Sequence, residues 1–189
     1  MEVIYNKTEA EERTFVQKLV DTAWPALRPV VGQVLGRGGQ ATVYKLAFAD
    51  GRSEALKVID TSVYRDPARR KDANRRGRSE IRYQKQLSDK TDTVVKFYDS
   101  ASSCERGQDA PMCFLLRMEL LTPLDPKNLA ALDPANREKA VLQIMRDVLE
   151  GLCQTEDAGI VHRDVKCGNI LLRHDPATGQ SRFVLSDFG

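Results

Sequence analysis

Apolar positions recur at helical spacing from the first well-patterned segment onward: Phe15, Val16, Leu19, Val20, Ala23 and Trp24 fall on one side of a helix. Thr8 and Glu11 stand ahead of them at capping-box spacing, and Pro25 and Pro29 stop the run. The period then switches to the alternation of a strand. "PVVGQVLG" and "ATVYKLAFAD" are rich in β-branched and aromatic residues, Asp50-Gly51 supplies a turn, and "RSEALKVID" resumes the pattern, which predicts three successive antiparallel strands. A helix follows from about Asp66 to Leu87, although Pro67 and Gly77 work against its first half. "TVVKFYDS" and "MCFLLRMEL" read as two further strands joined by the polar loop "ASSCERGQDAP". Beyond Pro123 and Pro126, "NREKAVLQIMRDVLEGLCQTEDA" carries a broad apolar stripe that includes Val141, Ile144, Met145, Val148 and Leu152, and predicts one long, largely buried helix. A turn at "RHDPATGQ" and a strand in "RFVLSDFG" close the chain, with no internal repeat.

One apolar stretch is interrupted in a way that periodicity does not explain. In "GIVHRDVKCGNILL", Gly159 to Leu172, the polar side chains of His162, Arg163, Asp164, Lys166 and Asn169 lie between Val161 and Ile170. Ordinary core would pay several kcal/mol for each such group left unpaired, so pairing or chemistry has to account for them. Two other segments carry chemistry-bearing residues. "LGRGGQATVYK" places Gly36, Gly38 and Ala41 in a pattern that fits a dinucleotide fingerprint as well as a nucleoside-triphosphate loop. A dinucleotide fingerprint opens a helix, whereas here the glycines lead into an alternating strand, which favours a glycine-rich hairpin lying over phosphates. A plain glycine-rich turn is the simpler alternative. Lys57, inside the apolar strand "ALKVI", either snorkels at a strand edge or reaches phosphates; the second role needs an acidic partner, and Glu80 on the next helix is the best-placed carboxylate.

Composition narrows the class. With 189 residues, 41% hydrophobic and 30% charged, the chain reads as a soluble globular protein of one domain or two small lobes. A net charge of +2 is too small to argue for nucleic acid. Basic residues do concentrate in "YRDPARRKDANRRGR", where a solvated helix face is the plainer reading and a patch for an anionic partner the alternative. Cys104, Cys113, Cys153 and Cys167 form no CxxC pair and have no His at ligand spacing, so free thiols in a reducing cytosol are expected rather than a zinc site or disulfides. No apolar run reaches the roughly 18 residues of a membrane span, and the acidic "MEVIYNKTEAEER" is no signal peptide. A cytoplasmic location is expected.

The pattern HRDxKxxN at His162–Asn169, followed eighteen residues after Asn169 by Asp187-Phe188-Gly189, resembles the catalytic and metal-binding loops of the eukaryotic-type protein kinases. The glycine loop, the Ala-x-Lys strand, a helical Glu and "MEL" follow in that family's order. The resemblance covers roughly Val30 to Gly189 and implies an α+β, bilobal kinase-like fold: a five-stranded antiparallel sheet with a helix in the N-lobe, and a truncated helical C-lobe. It implies a helical extension over residues 1–29, an incomplete kinase domain over 30–189, an N-lobe to about 118 and a hinge over 119–125. By the same resemblance, ATP and Mg²⁺ are the expected cofactors. Asp164 would orient the substrate hydroxyl, Lys166 would stabilise the γ-phosphate, Lys57 oriented by Glu80 would clamp the α/β-phosphates, and Asn169 and Asp187 would hold the metal. Gly36, Gly38 and Ala41 would cover the phosphates. Val43, Ala55 and Leu171 would enclose the adenine beside Met118, Glu119 and Leu121, with Asp125 a weaker contact to ribose. Lys166, two residues after Asp164, is the serine/threonine pattern, so the expected substrate is a protein Ser or Thr hydroxyl. Ala41 in place of a third glycine and Gln84 where an apolar residue is usual are departures. Because the sequence stops at Gly189, it is expected to be a fragment that is weakly active or inactive, with a partner covering the exposed base of its C-lobe. The rival reading is a nucleotide-binding pseudokinase or scaffold lobe.

Overall fold

The computed structural model describes residues 8–39, 41–103 and 112–188. The first seven residues, Gln40, most of the expected polar loop including Cys104, and Gly189 lie outside them. The chain divides into two compact units, the first holding residues up to Ile81 together with Phe97–Leu120, the second holding Arg82–Lys96 and Leu121–Gly189.

The first unit is built on a five-stranded antiparallel sheet of order β1-β2-β3-β5-β4. Its strands are β1 (Val30–Arg37), β2 (Ala41–Ala47), β3 (Ser53–Asp60), β4 (Phe97–Ser103) and β5 (Cys113–Glu119). Asp50-Gly51 makes the expected turn, with Gly51 at φ 86°, where a side chain is disfavoured. Alternation along the strands creates two faces. On one, Tyr44, Leu46, Leu56, Val58 and Leu115 pack with Val16 and Val20 of α1 (Glu9–Ala23) and with Trp24 at its C-cap. On the other, Ile59, Phe114 and Leu116 pack with Ile81 of α2 (Pro67–Ser88). The sheet is therefore covered by one helix on each side. α1 starts as expected: the Thr8 side chain caps the Glu11 N–H while the Glu11 carboxylate accepts from the Thr8 N–H.

α2 holds together despite Pro67 and Gly77. Pro67 occupies the first helical turn, where its missing N–H costs nothing, and Asp66 Oδ1 accepts from the Ala68 N–H at 2.8 Å. Gly77 is there for packing: a Cβ on it would lie 2.7 Å from the Phe114 ring. Only glycine lets the helix come this close to β5.

The second unit contains the C-terminal turns of α2, β6 (Thr122–Pro123), α3 (Pro126–Ala130), α4 (Pro134–Asp157), β7 (Ile170–His174) and β8 (Ser181–Leu185). The last two strands and β6 form a sheet of order β6-β7-β8. Its core joins Leu87, Val94, Val148, Ile160, Ile170, Leu185 and Phe188. Two expectations are corrected here. The apolar Val94-Val95 does not begin β4; Val94 bridges Leu185 in parallel, and the Val95 N–H donates to the Leu185 carbonyl at 2.9 Å. Alternation alone cannot distinguish one strand from two short segments serving different sheets. Nor is α4 largely buried: Asp147, Val148, Gly151 and Thr155 are its buried residues, while Leu142, Met145 and Leu149 are each more than half exposed. One edge of α4 faces β8, where the buried Asp147 carboxylate accepts the Phe183 N–H at 3.0 Å; Arg137 near the helix start donates to the Ala130 carbonyl of α3 at 2.7 Å, and Gln154 accepts from the Thr93 hydroxyl at 2.9 Å.

Candidate active site

In the first unit, β1 and β2 bring the glycines to a hairpin whose base is closed by the Gly38 N–H donating to the Ala41 carbonyl at 2.8 Å. None of Gly36, Gly38 and Gly39 needs glycine for its own fold. Their φ values are not in the left-handed region, and an added Cβ would meet nothing within 4 Å at Gly36 and Gly39. The glycines therefore leave open space on a hairpin, where a ligand gains close approach to the backbone.

Gly36, Val43, Lys57 and Leu116 are successive partners across β1, β2, β3 and β5, and Ala55 is paired with Met118. In an antiparallel sheet partners share a face, and residues two apart along a strand share it too. Val43, Ala55, Lys57 and Met118 thus sit together on the α2 side. Lys57 is 8% exposed, and its Nζ donates to Glu80 Oε1 at 2.5 Å. Close packing at Gly77 brings Glu80, one turn further along α2, down to the strand. Glu119 ends β5, across from Glu54.

In the second unit the polar residues that interrupt the 159–172 segment are paired with each other. Lys166 Nζ donates to Asp164 Oδ2 at 2.5 Å, and Asn169 Nδ2 donates to the Asp164 carbonyl at 2.8 Å and to its Oδ2 at 3.0 Å. The hydrogen bond from Lys166 holds the Asp164 carboxyl below its usual range, helped by Asn169. His162 is 2% exposed, its Nδ1 accepts the Asp164 N–H at 3.4 Å, and its ring lies 4.7 Å from that of Phe188. Burial pushes the His162 pKa down. A neutral ring that accepts at Nδ1 carries its proton on Nε2, which has no hydrogen-bond partner among the described residues.

The approach to Asp187 is fixed by Asn169, whose carbonyl accepts from the Ser186 N–H at 3.0 Å and from its hydroxyl at 3.2 Å. Asp187 has φ 69° and Arg163 φ 67°. Left-handed backbone costs a non-glycine residue on the order of 1 kcal/mol and persists where surrounding contacts enforce it, most often at functional loops. No sequence signal announces these two conformations. Leu171 lies on β7 between Pro123 and Val184. Leu121 immediately precedes β6, and Asp125 caps α3, its Oδ1 accepting the Lys127 N–H at 2.9 Å. Gln84, the unusual polar residue, is 2% exposed and donates through Nε2 to the Val95 carbonyl at 2.5 Å, a fixed link rather than a flaw.

Each unit thus assembles its own predicted residues. Gly36, Gly38, Ala41, Val43, Ala55, Lys57, Glu80, Met118 and Glu119 belong to the first; Leu121, Asp125, Asp164, Lys166, Asn169, Leu171 and Asp187 belong to the second. Among the described residues there is no cluster of three or more His, Cys, Asp or Glu side chains able to hold a metal by itself, and Cys113, Cys153 and Cys167 are free thiols. No helix among them is long and apolar enough to cross a membrane.

Residues 30–189 match the family model for the protein kinase domain. The chain is 32% identical over 159 residues to the inhibitor of nuclear factor kappa-B kinase subunit epsilon of Mus musculus, covering 82% of this chain and 20% of that protein. It is 34% identical over 163 residues to the serine/threonine-protein kinase PknL of Mycobacterium tuberculosis, covering 86% of this chain and 36% of that one. It is also 30% identical over 172 residues to a probable serine/threonine-protein kinase, PknB, of Bifidobacterium longum, covering 89% of this chain and 23% of the relative. The chain spans little more than a third of the length of these relatives at most.

Proposed function

The chain belongs to the eukaryotic-type protein kinase family, and on that premise we propose that it binds ATP with Mg²⁺ and that its residues serve transfer of the γ-phosphoryl group to a protein Ser or Thr hydroxyl. Fit to the nucleotide is supported by the open glycine hairpin and by Lys57, a buried cation held in place by Glu80. Fit to the metal is supported by the donor chemistry: Asn169 and Asp187 offer hard oxygens, and two ligands suit an ion that keeps its remaining positions for water and phosphate. Bound Mg-ATP would supply the activated phosphoryl group and most of the charge neutralisation at its oxygens.

The protein's own residues do the rest. Lys57 fixes the α/β-phosphates, and Glu80 keeps its ammonium aimed. Asp164 accepts the hydrogen bond of the incoming hydroxyl and so orients it. A carboxylate held below its usual range is a weak base, so the proton moves late, as suits a loose transition state. Lys166 lies 2.5 Å from the same carboxylate, and its charge would stabilise the phosphoryl being moved. Val43, Ala55 and Met118, together on one face of the sheet, offer an apolar surface for the base. The free thiols fit a reducing cytoplasm.

The observation that carries the reading is the setting of Asp164, half exposed and fixed by Lys166 and Asn169 instead of being sunk in the core. Replacing it tests the reading. Asp164→Asn is expected to lower phosphoryl transfer at least 100-fold while ATP affinity stays within about threefold. Unchanged transfer in this variant would contradict catalysis by Asp164.

The exposed stripe of α4 favours a second reading, in which this lobe binds nucleotide and serves as a platform for a partner that covers Leu142, Met145 and Leu149. Under that reading wild type and Asp164→Asn bind ATP alike, and neither transfers phosphate.

A further inference from the structure

The matched kinase domain begins at residue 30, so α1 lies outside it, yet α1 contributes some of the best-buried side chains of the first unit, including Val16 and Val20 at 0% exposure. More telling is Glu12, a carboxylate only 3% exposed in the first turns of the helix. A buried charge is tolerated only when it is fully hydrogen-bonded, and Glu12 is. Arg37 grips it bidentately, Nη1 to Oε1 at 2.8 Å and Nη2 to Oε2 at 2.7 Å, and the Tyr44 hydroxyl donates to Oε1 at 2.5 Å.

Both donors belong to the glycine hairpin. Arg37 is the last residue of β1, between Gly36 and Gly38; Tyr44 is on β2, and Arg37 is registered with Thr42 two residues away. A single carboxylate therefore ties the two arms of the hairpin together at the base of its loop. The rest of α1 is fastened to the sheet elsewhere. Gln17 accepts from the Val31 N–H at 2.7 Å and donates to the Pro29 carbonyl at 3.0 Å, and Trp24 Nε1 donates to Asp99 of β4 at 2.7 Å. α1 is a strut anchored at one end to the edge strand β4 and at the other to the hairpin.

We infer that α1 is a positioning element for the phosphate-covering hairpin, with Glu12 as the positioning residue acting through Arg37 and Tyr44. The inference rests on the nucleotide reading proposed above. Glycines give the loop freedom and little packing of its own, since a Cβ added at Gly36 or Gly39 would meet nothing within 4 Å. Ordering such a loop on binding costs affinity unless it is ordered beforehand. The Arg37 tether supplies that order from outside the loop, and it matters only for a ligand whose phosphates the loop must cover.

The test measures ATP and adenosine affinities of the whole chain, with Mg²⁺, in wild type, Glu12→Gln, Arg37→Gln, the double variant and Lys57→Met. Glu12→Gln keeps the shape of the side chain; Arg37→Gln changes a half-exposed residue and so leaves a folded protein should the first variant fold poorly. Either single substitution is expected to weaken ATP about tenfold while adenosine stays within twofold, and the double variant is expected to lose no more than either alone. A role confined to holding the unit together would instead weaken both ligands equally or neither. With wild type binding ATP and Lys57→Met weakening it, equal or absent effects at Glu12 and Arg37 overturn the inference and spare the reading of the site. No saturable ATP binding by wild type overturns both.

Discussion

His162 shows how much a single residue of the 159–172 segment is asked to do. It is buried against Phe188 with an Nε2 that finds no partner among the described residues, and burial outweighs the pull of Asp187 and Asp164 to lower its pKa below the ordinary 6.5. The unfolded chain then takes the proton more readily than the folded one. Stability from this residue is complete above about pH 6.5 and is lost as pH falls from there toward the lowered folded value. Melting temperature of wild type is expected to decline as pH falls below about 6.5, and His162→Gln is expected to flatten that decline. An equal decline in both proteins would assign the effect to other groups. The residue types of this segment were plain in the sequence: the spacing of His162, Asp164, Lys166 and Asn169 named the family without any structure. Their partners were not. That Asn169 bonds Asp164 by its side chain and Ser186 by its carbonyl depends on backbone turns, including the left-handed Arg163 and Asp187, that no residue type in the sequence encodes.

At the scale of elements, α2 reverses the usual meaning of a helical glycine. Gly→Ala in a helix interior ordinarily stabilises by about 1 kcal/mol. At Gly77 the added methyl would sit 2.7 Å from the Phe114 ring, and overpacking costs roughly 1–3 kcal/mol. The clash is expected to win, so Gly77→Ala lowers the denaturation midpoint, and Phe114→Leu in the same chain recovers part of the loss. A stabilised Gly77→Ala would mean that α2 does not approach β5 so closely. Sequence reasoning counted Gly77 against the helix because propensity is local, whereas the reason for the glycine is a strand nearly forty residues away. α4 erred in the opposite direction. Its apolar stripe is wider than the edge that β8 covers, and periodicity records how much of a helix is apolar without recording what lies against it. Met145→Lys and Leu149→Lys are therefore expected to change stability by less than about 0.5 kcal/mol while reducing self-association in sedimentation. A large loss of stability would place those side chains in a core.

For the molecule as a whole, the five-stranded antiparallel sheet, the helix α2 and the pairing of Lys57 with Glu80 followed from pattern and resemblance. The second role of α1 did not. Its apolar face announced a packing helix, but the Glu12 carboxylate looked like any acidic residue near a helix start, and only the structure places Arg37 and Tyr44 on it. The central claim is that the chain binds a magnesium nucleotide and that Asp187 helps to hold its metal. Calorimetric titration of the whole chain with ATP, in Mg²⁺ and again after chelation, tests it most directly when repeated on Asp187→Asn. The account predicts that Mg²⁺ tightens wild-type ATP binding by about tenfold or more and that Asp187→Asn loses this gain while keeping its metal-free affinity. Equal ATP affinity with and without Mg²⁺ in wild type, or a gain that survives in Asp187→Asn, would contradict it.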